Sequence, residues 1–202
     1  MAASHHVPGF AHGQNGSAAE TDPAVLGLMQ GAPVPADKQV RWTDGSMWRF
    51  PQQRWAFSHM RELVPTVNIG REGAVSVLPQ APRDDVDDVR LTTLDGQAMT
   101  WRESLAATYT DAILVMKDGV VVQERYFGAT TPATQHILFS VTKSFVGTIA
   151  EMLIEEGKLN PEAKAADYVA ELGGSGLGDA TIREILDMRT GLAFSEDYVP
   201  GQ

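Results

Sequence analysis

The chain has 202 residues, a length that accommodates one good-sized domain or a domain with an appendage. Hydrophobic residues make up 43% of the chain, which is enough to bury a core and argues against wholesale disorder. The formal net charge of −10 argues against nucleic acid or an anionic membrane surface as a partner, because neither attracts a net anion. Cysteine is absent, which excludes disulfides, thiolate metal sites and cysteine nucleophiles.

The distribution of histidines and of apolar residues disfavours a metal site and a membrane span. The five histidines lie in no H-E-x-x-H or comparable ligand spacing, so we expect neither a metal nor another cofactor. No run of about 18 apolar residues is present, and residues 1–22 lack a basic segment followed by an apolar one. We therefore expect no transmembrane helix, no secretory signal and a cytoplasmic location.

Residues 1–40 predict an extended N-terminal arm that drapes over a larger body. They hold many of the prolines and only one short apolar run, at residues 25–29. The following stretch, residues 41–64, is rich in aromatic side chains, a density typical of packing against a larger body. These aromatic residues are Trp42, Trp48, Phe50, Trp55 and Phe57. We therefore divide the chain into the arm (1–40) and a domain part (41–202).

Residues 79–90 predict a charged loop that contains a cluster of aspartates. The EF-hand spacing, with its central glycine and closing glutamate, is absent, which favours a solvated acidic loop over a cation site. The aspartates are Asp84, Asp85, Asp87 and Asp88. After this loop, a short helix is predicted over Trp101–Thr108, starting near Thr100 and Glu103.

The clearest secondary-structure signal is a β-hairpin. Residues 112–116 form an apolar strand, Lys117-Asp-Gly119 forms a tight turn, and residues 120–127 form the returning strand. Asp-Gly between two such runs is the favoured hairpin connection, because both turn positions take a positive φ. Gly128 is predicted to end the second strand.

A long amphipathic helix is predicted from Val141 to Glu156. Its apolar residues recur at intervals of three and four, so we expect one face to be buried. These residues are Phe145, Ile149, Met152 and Leu153. Gly157 is predicted to end the helix in a left-handed C-cap.

Two shorter helices are predicted beyond it. Asn160 caps a helix with Pro161 at its first position. Thr181 and Glu184 have the spacing of a capping box, which predicts a helix that stops at Gly191. The Gly-rich stretch 173–178 between them is predicted to be a loop.

The candidate catalytic residues are Ser140 and Lys143, in the sequence Ser-Val-Thr-Lys. At the start of a helix, residues three apart project from the same face, so the lysine amine can reach the serine hydroxyl. A serine hydroxyl needs a base to take its proton, and lysine can be that base when its neutral amine is favoured. Backbone N–H groups at the helix start, including that of Ser140, can then stabilise an oxyanion.

The spacing alone is weak evidence, since a bare S-x-x-K arises by chance about 0.25 times in a chain of this composition. The alternative is a capping serine beside a surface lysine. The context favours catalysis, because the motif follows a hairpin and opens an amphipathic helix.

Ser144 has no lysine three residues on, and is interpreted as a helix-packing serine. No G-x-S-x-G elbow is present, which disfavours an α/β-hydrolase.

Three segments together resemble the serine β-lactamase and penicillin-binding-protein superfamily, and within it the class C-like branch with 6-aminohexanoate-dimer hydrolases and related esterases. They are Ile113–Phe127, Phe139–Phe145 and Ile185–Tyr198. The resemblance implies an α/β fold of α+β type, with an antiparallel sheet and helices packed on it. It implies that Ser140 is the nucleophile, Lys143 its lysine partner, and Tyr198 a loop tyrosine that contacts the substrate; a tyrosine that only packs its ring is equally compatible.

The resemblance also predicts that part of the fold lies outside this chain. The superfamily's Tyr-x-Asn motif and its third, Lys-Thr-Gly-like motif are not found after Ser140, so we expect the N-terminal half of a longer enzyme. Arg189-Thr-Gly191 lies too early to be the third motif. The predicted sheet would then lack its later strands, and a second chain supplying the C-terminal half is left open, as is a homodimer.

The function expected from these residues is hydrolysis of a small linear amide or ester through an acyl-serine intermediate. The best single substrate is an amide similar to the 6-aminohexanoate dimer. A β-lactamase or D,D-peptidase is the alternative enzyme, and a non-catalytic binding member of the same fold is the alternative from another class. The partners expected are small molecules, with no nucleic acid and no membrane.

Overall fold

The computed structural model describes residues 16–70 and 72–193. The chain forms two compact units, with the boundary between Ile137 and Leu138. The first unit contains both antiparallel strand pairs, and the second contains the helix that begins within the S-x-x-K motif. None of the helices in the described ranges is long and apolar enough to cross a membrane.

The elements of the first unit are short helices and two antiparallel strand pairs. In chain order they are α1 (Pro23–Leu26), α2 (Gln52–Ala56), α3 (Met60–Leu63), β1 (Arg90–Thr92), β2 (Ala98–Thr100), α4 (Trp101–Ala107), β3 (Ala112–Lys117) and β4 (Val120–Tyr126). Short 3-10 helices lie at Ala36–Lys38, Ser46–Trp48 and Asp85–Asp88. The helix predicted to start near Thr100 and Glu103 is confirmed as α4, which begins with a capping box formed by these two residues.

The elements of the second unit are helical. In chain order they are α5 (Thr142–Glu155), α6 (Ala165–Tyr168), α7 (Gly176–Asp179) and α8 (Ile182–Leu186), with 3-10 helices at Phe139–Val141 and Ala170–Leu172.

The predicted hairpin is confirmed as β3 and β4. The strands are antiparallel, with Ala112 opposite Tyr126 and a bulge between Val115 and Met116. The turn residues Asp118 and Gly119 have φ of 52° and 79°, as this connection requires.

On its other side, β4 is flanked by the segment 79–83. The N–H of Val121 donates to the carbonyl of Pro79 at 2.8 Å, and the N–H of Ala81 returns a bond to Val121 at 2.9 Å. The hairpin therefore has one covered edge, and β3 pairs with β4 alone among the described strands.

The core of the first unit joins part of the predicted arm to the aromatic stretch. Leu28 and Val40 pack with Met47, Trp55 and Ala56, and each of these five is buried. The burial of Trp55 agrees with the packing role predicted for the aromatic stretch, while Trp42 and Trp48 remain about half exposed.

Polar contacts hold residues 16–22 against the same unit. Arg54 donates from Nη1 to the carbonyl of Ala18 at 2.6 Å and to the hydroxyl of Thr21 at 2.9 Å. Gly128, with φ of 57°, lies so close to Asp22 that a Cβ there would overlap the carboxylate. The positive φ and the nearby carboxylate therefore both favour glycine where the loop after β4 passes Asp22.

The interpretation of residues 79–90 as a solvated acidic loop is wrong for Asp87. This side chain is buried and forms ion pairs with Arg102 and Arg125. Gln123 also donates to it, at 3.3 Å, and itself accepts from Trp101 Nε1 at 2.7 Å. The hydrogen bond from Arg125 is the main cause that holds the pKa of Asp87 below its usual range. The burial depends on charges far along the chain, which the local composition does not show.

Helix α5 differs from its prediction in one important respect. It spans Thr142–Glu155 and ends, as predicted, at a left-handed Gly157 with φ of 68°. The predicted burial of its apolar face is wrong, because no residue of α5 is buried. Phe145 and Ile149 are 61% and 58% exposed.

Three other boundaries in the second unit differ from prediction. The stretch 173–178, predicted to be a loop, ends within the helix α7, which begins at Gly176. Residues 161–163 form a turn in which Asn160 Oδ1 accepts from the N–H of Glu162 at 3.0 Å, and the helix α6 begins only at Ala165. An asparagine side chain can cap a turn as readily as a helix, which explains this difference. The capping box of Thr181 and Glu184 is confirmed, but α8 ends at Leu186, before Gly191.

Candidate active site

Ser140 lies in the 3-10 helix Phe139–Val141, which leads directly into α5. The N–H of Val141 donates to the carbonyl of Leu138 at 3.0 Å, and the N–H of Thr142 bonds back to Phe139 and Ser140. These bonds form a tight turn that holds Ser140 immediately before the first full turn of the helix. Helix starts have N–H groups without intrahelical partners, which favour negative charge nearby.

Lys143 reaches back to Ser140, as the spacing predicts. Its Nζ donates to Ser140 Oγ at 2.9 Å. Both residues are exposed. The two groups are therefore within direct proton-transfer distance, and a substrate carbonyl can approach the hydroxyl from solvent.

Phe139, which precedes the serine, has an uncommon backbone conformation. Its φ is 45°, in the left-handed region that bulky residues avoid at a cost of about 1–3 kcal/mol. Such strained residues cluster at functional sites, where the surrounding structure holds a reactive group in a set position. The sequence contains no signal for this conformation, since glycine or asparagine is the residue type that normally indicates it.

Tyr198, the third predicted site residue, lies outside the described residues. The structure thus brings together two of the three predicted residues, Ser140 and Lys143. Ser144 lies one residue beyond Lys143 in α5, where its carbonyl accepts from the Thr148 hydroxyl at 2.7 Å.

A second serine, Ser58, lies beside a histidine, a pair that the sequence analysis did not single out. Ser58 Oγ is 2.9 Å from His59 Nδ1, but the same nitrogen is 2.7 Å from the carbonyl of Trp55. A carbonyl can only accept, so Nδ1 carries its proton there and cannot act as base for Ser58. The His59 ring also stacks on Trp55, with centroids 4.2 Å apart. We assign this pair a packing role.

A cavity of about 330 Å³ in the first unit is lined by several charged side chains. Arg54 and Asp111 line it, with Nη2 and Oδ1 3.8 Å apart. His136 Nε2 lies 3.4 Å from Asp111, and this contact is the main cause that raises the pKa of His136. These ion pairs join residues 54, 111 and 136 within the unit. The buried Nε of Arg54 has no hydrogen-bond partner among the described residues. Among the described residues, no group of three or more histidines or carboxylates is arranged to hold a metal ion.

Known proteins resemble this chain in sequence and in fold. The β-lactamase family model matches residues 102–201, a range that includes Ser140 and Lys143. The chain is 36% identical, over 149 residues, to the 6-aminohexanoate-dimer hydrolase of Paenarthrobacter ureafaciens. That match covers 74% of this chain and 36% of the relative.

A solved structure also resembles this chain in fold. It is a Bacillus anthracis protein named as a candidate 6-aminohexanoate-dimer hydrolase, with a TM-score of 0.62 and 30% identity. The match covers 70% of this chain and 37% of the Bacillus chain, so this chain spans somewhat over a third of the length of either relative. The expected α+β fold is confirmed, with helices beside small antiparallel sheets. The chain belongs to the β-lactamase family, within the serine β-lactamase and penicillin-binding-protein superfamily.

Proposed function

We propose that the protein is a serine hydrolase in which Ser140 is the nucleophile and Lys143 its base. The observation that carries the proposal is the 2.9 Å contact between Lys143 Nζ and Ser140 Oγ at the start of α5. The same distance suits a neutral amine that accepts the hydroxyl proton. Membership in the β-lactamase family supports it independently.

The reaction follows from these groups. Ser140 Oγ attacks the carbonyl carbon of the substrate while its proton passes to Lys143 Nζ, and the carbonyl oxygen becomes an oxyanion. Backbone N–H groups at the helix start, including that of Ser140, stabilise this negative charge. The intermediate collapses by breaking the bond to the amine or alcohol, which leaves with the proton from Lys143. Water then attacks the carbonyl carbon of the acyl-Ser140 ester as one of its protons passes to Lys143 Nζ. The bond to Ser140 Oγ breaks, Oγ takes the proton from Lys143, and the carboxylic acid leaves.

The proposed substrate is a small linear amide, of the kind represented by the 6-aminohexanoate dimer, or a related ester. The support is the names of two relatives, at 36% and 30% identity. Tyr198 is proposed to contact the substrate amide. Exposure of Ser140 fits a small, extended substrate that approaches from solvent.

The test uses a chimera in which this chain replaces the matching stretch of the Paenarthrobacter ureafaciens hydrolase. We expect the chimera to hydrolyse the 6-aminohexanoate dimer or p-nitrophenyl esters in preference to nitrocefin, and Ser140→Ala to abolish turnover. Ser144→Ala is the matched control and should retain turnover. Preference for nitrocefin would indicate a β-lactamase. A folded chimera that turns over none of these substrates, or one whose turnover survives Ser140→Ala, would contradict the proposal.

A further inference from the structure

The cavity in the first unit combines carboxylates with an apolar wall. Its volume of about 330 Å³ lies in the range of small-molecule sites. The guanidinium of Arg54 stands among three carboxylates in the lining, which belong to Asp22, Glu62 and Asp111. The apolar part of the lining consists of Leu28, Met29, Trp55 and Phe127. This combination suits a small ligand that has both a positive charge and a hydrocarbon body.

Asp22 is the carboxylate in this lining that lacks a compensating charge. Asp111 has two partners, since Arg54 lies 3.8 Å and His136 3.4 Å from it. Asp22 is only 9% exposed, and among the described residues it forms no ion pair. Burying a carboxylate without a cation costs free energy, so buried charges are normally paired. The described part of the chain therefore leaves room at Asp22 for a cation from outside.

The two oxygens of Asp22 have different surroundings. Oδ1 accepts from the N–H of Ala24 at 2.8 Å and thereby caps α1. Oδ2 accepts no hydrogen bond from the described residues, and it lies beside Gly128, whose neighbours Phe127 and Ala129 line the cavity. It is not among the described polar atoms that are sealed from solvent without a partner. Oδ2 therefore keeps accessible surface at the wall of the cavity.

We propose that this cavity binds a primary alkylammonium ion, with the ammonium against Asp22 and the alkyl chain along the apolar wall. An ammonium group supplies the missing charge and up to three hydrogen-bond donors. A metal ion fits less well, because no three carboxylates or histidines in the described ranges are arranged to hold one. The ligand is either a free alkylamine or the amine-bearing product of an amide hydrolysis. The binding itself does not depend on Ser140.

The first test is an NMR titration of the chain with hexylammonium chloride, observed at the indole N–H of Trp55. Hexylammonium should shift this signal in a saturable way, whereas hexanoate should not. Asp22→Asn removes the charge but retains a side chain that caps a helix, and it should weaken binding by about tenfold or more. Asp88→Asn, at an exposed carboxylate, should leave it unchanged. Ser140→Ala should bind equally well, which separates this site from the proposed catalysis.

A second pair of variants tests the cavity from exposed positions, where a substitution does not disturb the core. Ala129→Trp, at the cavity wall, should abolish binding, whereas Ala133→Trp, in the same loop but outside the lining, should not. A titration with 6-aminohexanoate then distinguishes the two sources of the amine. Binding of this compound identifies the site as one for an amine-bearing product, and binding of hexylammonium alone identifies it as one for free alkylamines.

Three results would overturn the proposal. The first is an absence of hexylammonium binding in the folded chain. The second is binding that survives both Asp22→Asn and Ala129→Trp, because the amine would then bind elsewhere. The third is binding to the chain that is lost in the folded chimera, because the additional polypeptide would then occupy the cavity.

Discussion

The amine of Lys143 lies 2.9 Å from the hydroxyl oxygen of Ser140, at the junction between a 3-10 helix and α5. The junction positions both groups, since one residue lies just before the helix and the other in its first turn. This contact leads to predictions about how substitutions of Lys143 change the reactivity of Ser140. The rates are best measured in the chimera with the Paenarthrobacter ureafaciens hydrolase.

Lys143→Ala should slow the reaction of Ser140 with a fluorophosphonate probe by about 100-fold or more, because no other group then accepts the hydroxyl proton. Lys143→Arg should slow it similarly, since a guanidinium keeps the positive charge but does not give up its proton. Lys158→Ala is the control; Lys158 pairs with Glu156 at 2.7 Å and should leave the rate unchanged. A full rate in Lys143→Arg would show that the lysine supplies only charge.

Phe139 offers a test of whether its backbone conformation positions Ser140. Phe139→Val and Phe139→Asn both remove the ring, but asparagine tolerates a positive φ and a β-branched valine does not. Phe139→Val should therefore slow probe labelling of Ser140 more strongly than Phe139→Asn, with thermal unfolding measured beside it. Equal rates in the two variants would mean that the left-handed backbone has no effect on the serine.

Asp87 should make the stability of the protein depend on pH at the acid end. The hydrogen bond from Arg125 lowers the pKa of Asp87 in the folded state. The ionised carboxylate therefore stabilises the fold at pH values above its ordinary pKa of about 3.9. That contribution is lost as the pH falls through the folded-state pKa. Urea unfolding should show Asp87→Asn to be less stable at pH 7 and pH 5, with a smaller difference near pH 3. Asp88→Asn, at an exposed neighbour, should show little difference at any pH.

The stability that His136 contributes should depend on pH in the opposite direction. Its hydrogen bond with Asp111 raises the pKa of His136 above the ordinary value of about 6.5. The pairing therefore stabilises the fold at pH values below about 6.5, and this stabilisation is lost as the pH rises through the folded-state pKa. In an NMR titration, Asp111→Asn should return the pKa of His136 towards its ordinary value. Asp118→Asn, in the hairpin turn, should not change it. An unchanged His136 titration in Asp111→Asn would disprove the pairing.

Features with a local chemical cause could be predicted from the sequence. The hairpin follows from Asp118-Gly119, the end of α5 from Gly157, and the start of α4 from the capping box of Thr100 and Glu103. Each depends on residues that are close in the chain. The distance between Ser140 and Lys143 belongs to the same class, because helix geometry brings the two side chains together.

Features that depend on distant residues could not be predicted. The burial of Asp87 depends on Arg102 and Arg125, which contribute charge from elsewhere in the chain. The positive φ of Phe139 is imposed by its surroundings, against the preference of its residue type. The periodicity of α5 identifies an apolar face, but periodicity cannot say whether other described residues of the chain bury that face.

The central claim, that Ser140 is the nucleophile, is tested most directly by locating a covalent adduct. The chimera would be treated with a fluorophosphonate, digested and analysed by mass spectrometry. We predict one modified peptide with the phosphonyl group on Ser140, and loss of this modification in Ser140→Ala but not in Ser144→Ala. A folded chimera that remains unmodified, or that carries the group on another serine, would contradict the proposal.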